Sequence, residues 1–193
     1  MSSEQKRRLR REMIARRRSV SEDVAGAAAR SVAGTLLAEP RIAQARAVGL
    51  YAALPGELPS RETFDALAAG STPRLLPRCI GEKRLAFFRI DDWDDLVPGR
   101  YGVLEPANDR EPVVLGPADV VVVPAVALSP TGERLGRGAG YYDRTFDGPD
   151  APLLIGAGYE FQVVEHLPHE EHDRRMHAIV TETGLRWVEA SGS

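Results

Sequence analysis

One ten-residue segment, residues 134–143 (RLGRGAGYYD), holds most of the residues in this chain whose types and spacing suggest chemistry. Its glycines allow backbone N–H groups to converge on an anion without obstruction by a Cβ atom. Arg134 and Arg137 add forked, charged donors that match phosphate oxygens. Two tyrosines follow as flat surfaces for a ring system, and Asp143 offers a hard oxygen ligand for Mg²⁺. The segment therefore predicts a phosphate-handling loop.

Two common nucleotide-binding motifs are excluded. The pattern GxxxxGK[ST] is absent from the chain. The glycines at 136, 138 and 140 do not follow GxGxxG, and they come late in the chain instead of in a first strand–turn–helix unit. Without the flanking arginines, tyrosines and aspartate, a purely structural Gly-rich turn would be an equal reading.

A second concentration of charge lies at the N-terminus. Residues 1–18 carry eight Lys or Arg and two Glu, although the whole chain has a formal net charge of −3. Such an arm could bind nucleic acid or supply phosphate ligands to a site in the same chain. Lys6 and Arg10, at i and i+4, share one helical face. For most of the other arginines we expect a solvated face, and the lack of interleaved aromatic residues disfavours nucleic-acid binding.

Two helices are predicted to follow one another at the N-terminus. Ser2 and Ser19 each precede a Gln or Glu three residues later, the spacing of a capping box. This spacing predicts a basic helix over about residues 3–18 and a second helix over residues 21–37. Pro40 ends the second helix, because the residue before a proline avoids the α region.

Short apolar runs further along predict strands. They are 47–53, 74–77, 85–90 (at a sheet edge), 119–123, 153–157 and 178–181, with a helix at 61–69 and a loop insertion at 106–117. The run DVVVV at 119–123 fits a strand buried on both faces. The alternation predicts an α/β fold, one layered domain over residues 1–193 with a mostly parallel central sheet flanked by helices. The loop at 134–143 must then lie beyond the carboxyl ends of the strands, where open α/β sheets bind ligands.

Several protein classes are excluded. No apolar stretch reaches the roughly 20 residues of a membrane-spanning helix, and no apolar segment follows the N-terminal charges as in a secretory signal. The single cysteine, Cys79, rules out an internal disulfide framework and a paired-cysteine zinc site. We expect a cytoplasmic protein.

The segment RLGRGAGYYDR resembles the sequence RLGRGxGYYD of the 5-formyltetrahydrofolate cyclo-ligase family, which follows a hydrophobic strand and a Pro-containing turn. Other segments resemble family elements in the same order: residues 6–10 (K-x-x-L-R), 51–57 (a strand and a glutamate), 76–78 (LPR), 101–106 (YGI-x-EP) and 162–182 (Q-x₅-P-x₃-HD … TE). The resemblance implies a fold of the NagB/RpiA/CoA-transferase type.

The resemblance also implies an activity. ATP would phosphorylate the formyl oxygen of 5-formyltetrahydrofolate, and the N10 nitrogen would then displace phosphate to give 5,10-methenyltetrahydrofolate, with Mg²⁺ as cofactor. Phosphoryl transfer depends chiefly on positioning and charge neutralisation. We expect a monomer that acts on small molecules, with no membrane partner.

Residue roles follow from the same resemblance. The ATP-binding residues implied are Lys6, Arg10, Arg134, Leu135, Gly136, Arg137, Gly138, Ala139, Gly140, Tyr141 and Tyr142. The folate-binding residues implied are Glu57, Arg137, Gly138, Ala139, Gly140 and Tyr141. The implied magnesium ligands are Asp143 and Asp173. A carboxylate at Glu57 suits the adjacent N–H donors on the pterin edge.

Two positions depart from the family pattern. Ala139 stands where glycine or lysine is usual, and an alanine restricts a backbone with positive φ. His177 stands where a second aspartate is common. Two alternatives remain open: a cyclo-ligase-like paralogue with a different substrate, and a nucleic-acid-binding protein that uses the basic helix.

Overall fold

An eight-stranded sheet forms the centre of the molecule in the computed structural model, which describes residues 3–167 and 173–189. The strands are β1 (Val48–Gly49), β2 (Arg74–Ile80), β3 (Arg84–Arg89), β4 (Val97–Pro98), β5 (Leu104–Glu105), β6 (Pro112–Val113), β7 (Val120–Pro124), β8 (Ala127–Leu128), β9 (Arg134–Leu135), β10 (Leu153–Ala157), β11 (Ala178–Thr181) and β12 (Gly184–Trp187). The helices are α1 (Ser3–Arg18), α2 (Glu22–Leu37), α3 (Pro40–Ala43), α4 (Arg61–Leu67) and α5 (Tyr141–Thr145), and 3₁₀ turns lie at Trp93–Asp95, Arg100–Gly102 and Glu160–Gln162.

The sheet has the order β12-β11-β10-β7-β1-β2-β3-β6. The central strands from β11 to β2 run parallel, and the pairings at both margins are antiparallel. The predicted α/β fold with a mostly parallel central sheet is confirmed. Two short antiparallel pairs, β4–β5 and β8–β9, stand apart from the sheet.

Strand β7 is buried on both faces, as its run of β-branched residues predicts. Val120 and Val122 pack in one hydrophobic cluster, with residues of α2 and α4. Val121 and Val123 pack in a second cluster on the other face of the sheet. The sheet is therefore the middle layer of the molecule. Packing on both faces fixes the position of its central strands and of the residues at their ends.

The start of α2 differs from the prediction. Its N-cap is Ser21, whose side chain accepts a hydrogen bond from the Val24 N–H, so the predicted cap at Ser19 is wrong. The Ser19 hydroxyl instead donates to the Arg16 carbonyl at the end of α1, 2.7 Å away. Ser2, the predicted cap of α1, lies outside the described residues.

Two strand predictions also need correction. The run at 47–53 forms only a two-residue ladder, because the chain leaves the sheet after the Leu50 N–H bonds the Leu75 carbonyl. Strand β3 is not at the sheet edge, because β6 pairs on its outer side. Strand β6 comes from the segment 106–117 that the sequence predicts as a loop. Among the described residues, no helix combines the length and apolarity needed to cross a bilayer.

Candidate active site

A cavity of about 790 Å³ opens at the carboxyl ends of β1 and β7. Its floor is formed by the residues that follow these strands, including Tyr51, Ala52, Pro124 and Ala125. All the site residues that the resemblance implies line this one cavity: Lys6, Arg10, Glu57, residues 134–143 and Asp173. The prediction that the Gly-rich loop lies beyond the carboxyl ends of the strands is confirmed.

The Gly-rich loop leaves β9, whose antiparallel partner is β8, and enters α5. Gly138 and Gly140 have φ values of 101° and 66°, which favour glycine. Ala139 is not among the residues with positive φ. Its alanine therefore introduces no strain of the kind expected from the family pattern.

Helix α1 packs beside the loop. Arg10 donates from Nε to the Gly136 carbonyl at 2.8 Å. Met13, 5% exposed, lies in a hydrophobic cluster with Val126 and Leu135, so the helix contacts the β8–β9 pair. The structure thus brings Lys6 and Arg10 to the cavity, as their shared helical face predicts.

Three ion pairs line the cavity. Each joins a cation implied in phosphate binding to an acid implied in metal or pterin binding: Lys6 Nζ to Asp173 Oδ2 at 3.9 Å, Arg134 Nη2 to Asp143 Oδ1 at 2.9 Å, and Arg137 Nη1 to Glu57 Oε1 at 3.6 Å. A bound anion can take over part of each cation's interaction, while a bound cation can do the same for the acid. The cavity wall therefore carries both positively and negatively charged side chains.

The Arg134–Asp143 pair is the most enclosed of these three ion pairs. Arg134 Nη2 donates to both oxygens of Asp143, at 2.9 and 3.0 Å, and its side chain is 5% exposed. Its predicted role as a direct phosphate ligand competes with this pairing and stays a prediction. Arg137, 44% exposed, is the arginine that faces the open cavity.

The residues present fit a magnesium ion. Asp143 and Asp173 both line the cavity, and Mg²⁺ takes one or two carboxylates together with phosphate and water oxygens. Within residues 3–167 and 173–189, no cluster of three or more His, Cys, Asp or Glu side chains offers a complete protein cage.

Glu57 is buried at the cavity wall and makes contacts on both oxygens. Its Oε2 accepts from the Leu54 N–H at 3.1 Å, and its Oε1 lies 3.6 Å from both Arg137 Nη1 and Arg17 Nη2. Arg17 is 2% exposed, so the predicted solvated face is wrong at this position. No sequence pattern distinguishes Arg17 from its basic neighbours, because its partners lie far away along the chain.

Aromatic and thiol groups form another wall of the cavity. The Tyr141 hydroxyl donates to that of Tyr101 at 3.4 Å, a contact that raises the pKa of Tyr141 to about 12. Tyr101 sits at φ 59° between β4 and β5 and is 75% exposed. Burial raises the pKa of the Cys79 thiol to about 11, which keeps it protonated and weakly nucleophilic at neutral pH.

His177, the second departure from the family pattern, does not line the cavity. Its Nδ1 accepts from the Leu154 N–H at 2.9 Å. Desolvation lowers the pKa of His177, which favours the neutral ring that this hydrogen bond requires. His177 therefore forms a hydrogen bond with the backbone of β10 and takes no part in lining the cavity.

Comparison with known proteins gives a consistent result. The model of the 5-formyltetrahydrofolate cyclo-ligase family matches residues 2–182. The 5-formyltetrahydrofolate cyclo-ligase of Escherichia coli is 31% identical over 173 residues, covering 86% of this chain and 94% of that protein. The enzyme of the same name from Mycolicibacterium smegmatis is 32% identical over 189 residues, covering 94% and 95%.

Solved structures show the same fold. The NMR structure of the Aquifex aeolicus 5,10-methenyltetrahydrofolate synthetase superposes with a TM-score of 0.83 at 30% identity, covering 97% of this chain and 95% of that one. A 5,10-methenyltetrahydrofolate synthetase from Mycoplasma pneumoniae superposes with a TM-score of 0.72, covering 92% and 98%; at 20% identity it supports the fold alone. The wider relation to the NagB/RpiA type stays a prediction.

Proposed function

Because the chain belongs to the 5-formyltetrahydrofolate cyclo-ligase family, we propose that it converts 5-formyltetrahydrofolate to 5,10-methenyltetrahydrofolate, with cleavage of ATP to ADP and phosphate and with Mg²⁺ as cofactor. The observation that carries the proposal is that one cavity gathers the Gly-rich loop, the cations of α1, two aspartates and a buried glutamate. The chain is a ligase of this family.

The loop and α1 form the phosphate side of the cavity. Gly138 and Gly140 let the backbone approach an anion closely, and Arg10 is fixed to the loop through the Gly136 carbonyl. Lys6 and the exposed Arg137 add positive charge at the same wall. Fixed cations that need little reorganisation suit a reaction in which phosphate charge is redistributed.

Glu57 forms the folate side. One carboxylate oxygen is held by the Leu54 N–H, and the residue lines the cavity. The amino-pyrimidinone edge of a pterin presents adjacent N–H donors, which an ionised carboxylate can accept as charge-assisted hydrogen bonds. Tyr101 and Tyr141 supply flat surfaces beside this position.

The proposed reaction has two steps. The formyl oxygen attacks the γ-phosphorus of ATP and ADP leaves, which turns a poor amide-like electrophile into an activated one. The N10 nitrogen then attacks the formyl carbon, loses its proton, and phosphate departs with the former formyl oxygen. The cations of the loop and α1 hold the phosphoryl group beside the formyl group, and Glu57 sets the orientation of the folate.

Asp143 and Asp173 would hold Mg²⁺, which supplies positive charge to the phosphate oxygens when bound. Arg134 contributes to this arrangement by fixing the direction of the Asp143 carboxylate. Lys6 stands near Asp173 in the same way. We further propose that the whole chain acts as one domain and as a cytoplasmic monomer; the single cysteine is compatible with a reducing compartment.

The test is a product assay. The purified protein is mixed with 5-formyltetrahydrofolate, MgATP or no nucleotide, and the near-ultraviolet absorbance of the methenyl product is followed. We expect formation of product only with ATP, and its loss when EDTA removes magnesium. Glu57→Gln should raise the KM for folate at least about tenfold, the range for a lost charge-assisted contact.

A matched control is Glu165→Gln, a change at a side chain that is 89% exposed and does not line the cavity. Full activity without ATP would refute the proposal, and equal behaviour of the two glutamine variants would refute the role of Glu57 in folate binding. Turnover of another formylated or carboxamide substrate in preference would favour the paralogue alternative. Salt-sensitive binding of duplex DNA without turnover would favour the nucleic-acid alternative.

A further inference from the structure

Arg17 is a buried arginine whose side chain does not face solvent. It lies in the last turn of α1, and its side chain is 2% exposed. Arginine is rarely buried unless it is paired. Its Nη1 donates to the Ala125 carbonyl at 3.1 Å, and its Nη2 lies 3.6 Å from Glu57 Oε1. Arg17 thus joins the turn after β7 to the turn that carries Glu57.

Two guanidinium groups approach the same oxygen of Glu57. Arg137 and Arg17 are both 3.6 Å from Oε1, but their surroundings differ. Arg137 belongs to the Gly-rich loop and is 44% exposed, so a bound phosphate can draw it away. Arg17 is enclosed and anchored to the Ala125 backbone, so it stays in place.

The backbone around Glu57 is also fitted to α1. Gly56, the residue before it, has a φ of 80°, and a Cβ at this position would lie 3.4 Å from the backbone carbonyl of Arg17. The end of the helix and the Glu57 turn are therefore in direct contact. A displacement of Arg17 should therefore also displace the Glu57 carboxylate.

A buried carboxylate that loses one charge partner depends on its remaining partners to hold its position. Glu57 can accept two N–H groups from a pterin edge only if its carboxylate keeps its orientation. We propose that Arg17 is a positioning residue that holds the Glu57 carboxylate in its orientation toward the cavity while Arg137 turns to bound phosphate. The inference rests on the proposed function, since it assigns a partner to the folate-binding glutamate.

The test is a double-mutant cycle on folate affinity. The variants are Arg17→Met, Glu57→Gln and the two combined, and the readouts are the KM for 5-formyltetrahydrofolate, the KM for ATP and the dissociation constant of ADP. We expect Arg17→Met to raise the folate KM about tenfold and to leave ADP binding within about twofold, because the ion pair that it loses is with Glu57, the predicted folate-binding residue. The double variant should bind folate no more weakly than Glu57→Gln.

A structural role for Arg17 predicts a different pattern. Then the two single effects would multiply, and ADP binding would weaken in parallel with folate binding; either result overturns the inference. If Arg17→Met does not fold, Arg17→Lys replaces it in the cycle, with the charge kept and the fork lost. Arg17→Ala with added guanidinium, compared with added urea, gives a second measure: only the cation should lower the folate KM.

The wild type separates the two proposals. Turnover of 5-formyltetrahydrofolate by the wild type, with multiplicative effects in the cycle, removes the role of Arg17 and leaves the proposed function intact. No turnover by the wild type removes both.

Discussion

At the residue scale, Gly138 of the loop is not equivalent to its neighbour Ala139. Gly138 has a φ of 101° and lies beside the Arg10 guanidinium, with 3.7 Å between the Cζ of Arg10 and an added Cβ. Ala139 has no positive φ. Replacing Gly138 by alanine therefore forces a strained backbone where the loop meets α1, and strain of this type costs about 1–3 kcal/mol.

We expect Gly138→Ala to raise the KM for ATP by about tenfold, the equivalent of about 1.4 kcal/mol. Ala139→Gly is the matched control, since it adds freedom at a position that needs none, and it should change the KM by less than about twofold. Steady-state kinetics at fixed folate measure both. Equal effects of the two changes would show that the loop conformation is not set by Gly138.

The rate at which Cys79 reacts with thiol reagents should depend on pH. Because burial raises the pKa of this thiol to about 11, thiolate forms only as the pH rises toward that value. At pH 8 its reaction with a thiol reagent should be roughly a hundredfold slower than that of a free cysteine of ordinary pKa. Since the chain holds one cysteine, the wild type can be used directly, with glutathione as reference. Labelling as fast as glutathione at pH 8 would contradict the shift.

At the element scale, α1 is held to the site by packing as well as by charge. Met13 is 5% exposed and shares a cluster with Val126 and Leu135. Met13→Ala should cost about 2–5 kcal/mol of stability, the usual range for a buried methionine. The KM for ATP should rise as well, because the helix carries Lys6 and Arg10.

Chemical denaturation and kinetics check this prediction, with Arg11→Ala as control. Arg11 is an exposed side chain of the same helix, so its loss removes a charge but no packing. If Arg11→Ala raised the KM for ATP as much as Met13→Ala, general attraction by the basic helix would explain binding better than docking does.

The elements that the sequence predicts well are those with a strong local pattern. The run of β-branched residues in β7 and the ten-residue loop after it need no distant information. The two-residue strands β1, β6 and β9 have too few residues to show alternation. The N-cap of α2 was assigned to the wrong serine for a similar reason, because Ser19 and Ser21 are equally good caps until the hydroxyl of Ser19 bonds α1.

The candidate site also contains residues that the sequence predicts and residues that it does not. The loop and the basic helix were predictable from residue type and spacing, and the resemblance supplied Glu57 and Asp173. The buried position of Arg17 was not predictable, because it depends on contacts with Glu57 and Ala125, 40 and 108 positions along the chain. Tyr101 lay in a recognised segment, but its exposure at the cavity depends on how the β4–β5 pair is oriented.

At the scale of the whole molecule, the charged side chains are not evenly distributed. The chain has a formal net charge of −3, yet three cations, one from α1 and two from the Gly-rich loop, line one cavity and each pairs there with an acid. Each acid offsets a cation that would otherwise repel its neighbours, and this reduces the cost of gathering them before ligands bind. Ligand binding should then stabilise the fold, since it adds interactions between α1, the loop and the Glu57 turn.

We expect MgADP at about 100 times its dissociation constant to add about 2.7 kcal/mol to the free energy of unfolding. For a chain of this size each kcal/mol raises the Tm by about 2–4 °C, so the Tm should rise by about 5–11 °C. Differential scanning fluorimetry measures the change, with high salt as a second condition that should reduce it by screening. Glu57→Gln is the matched variant: its shift with MgADP should persist, while its shift with 5-formyltetrahydrofolate should fall. A loss of both shifts would show that Glu57 supports the whole cavity and not the folate side alone.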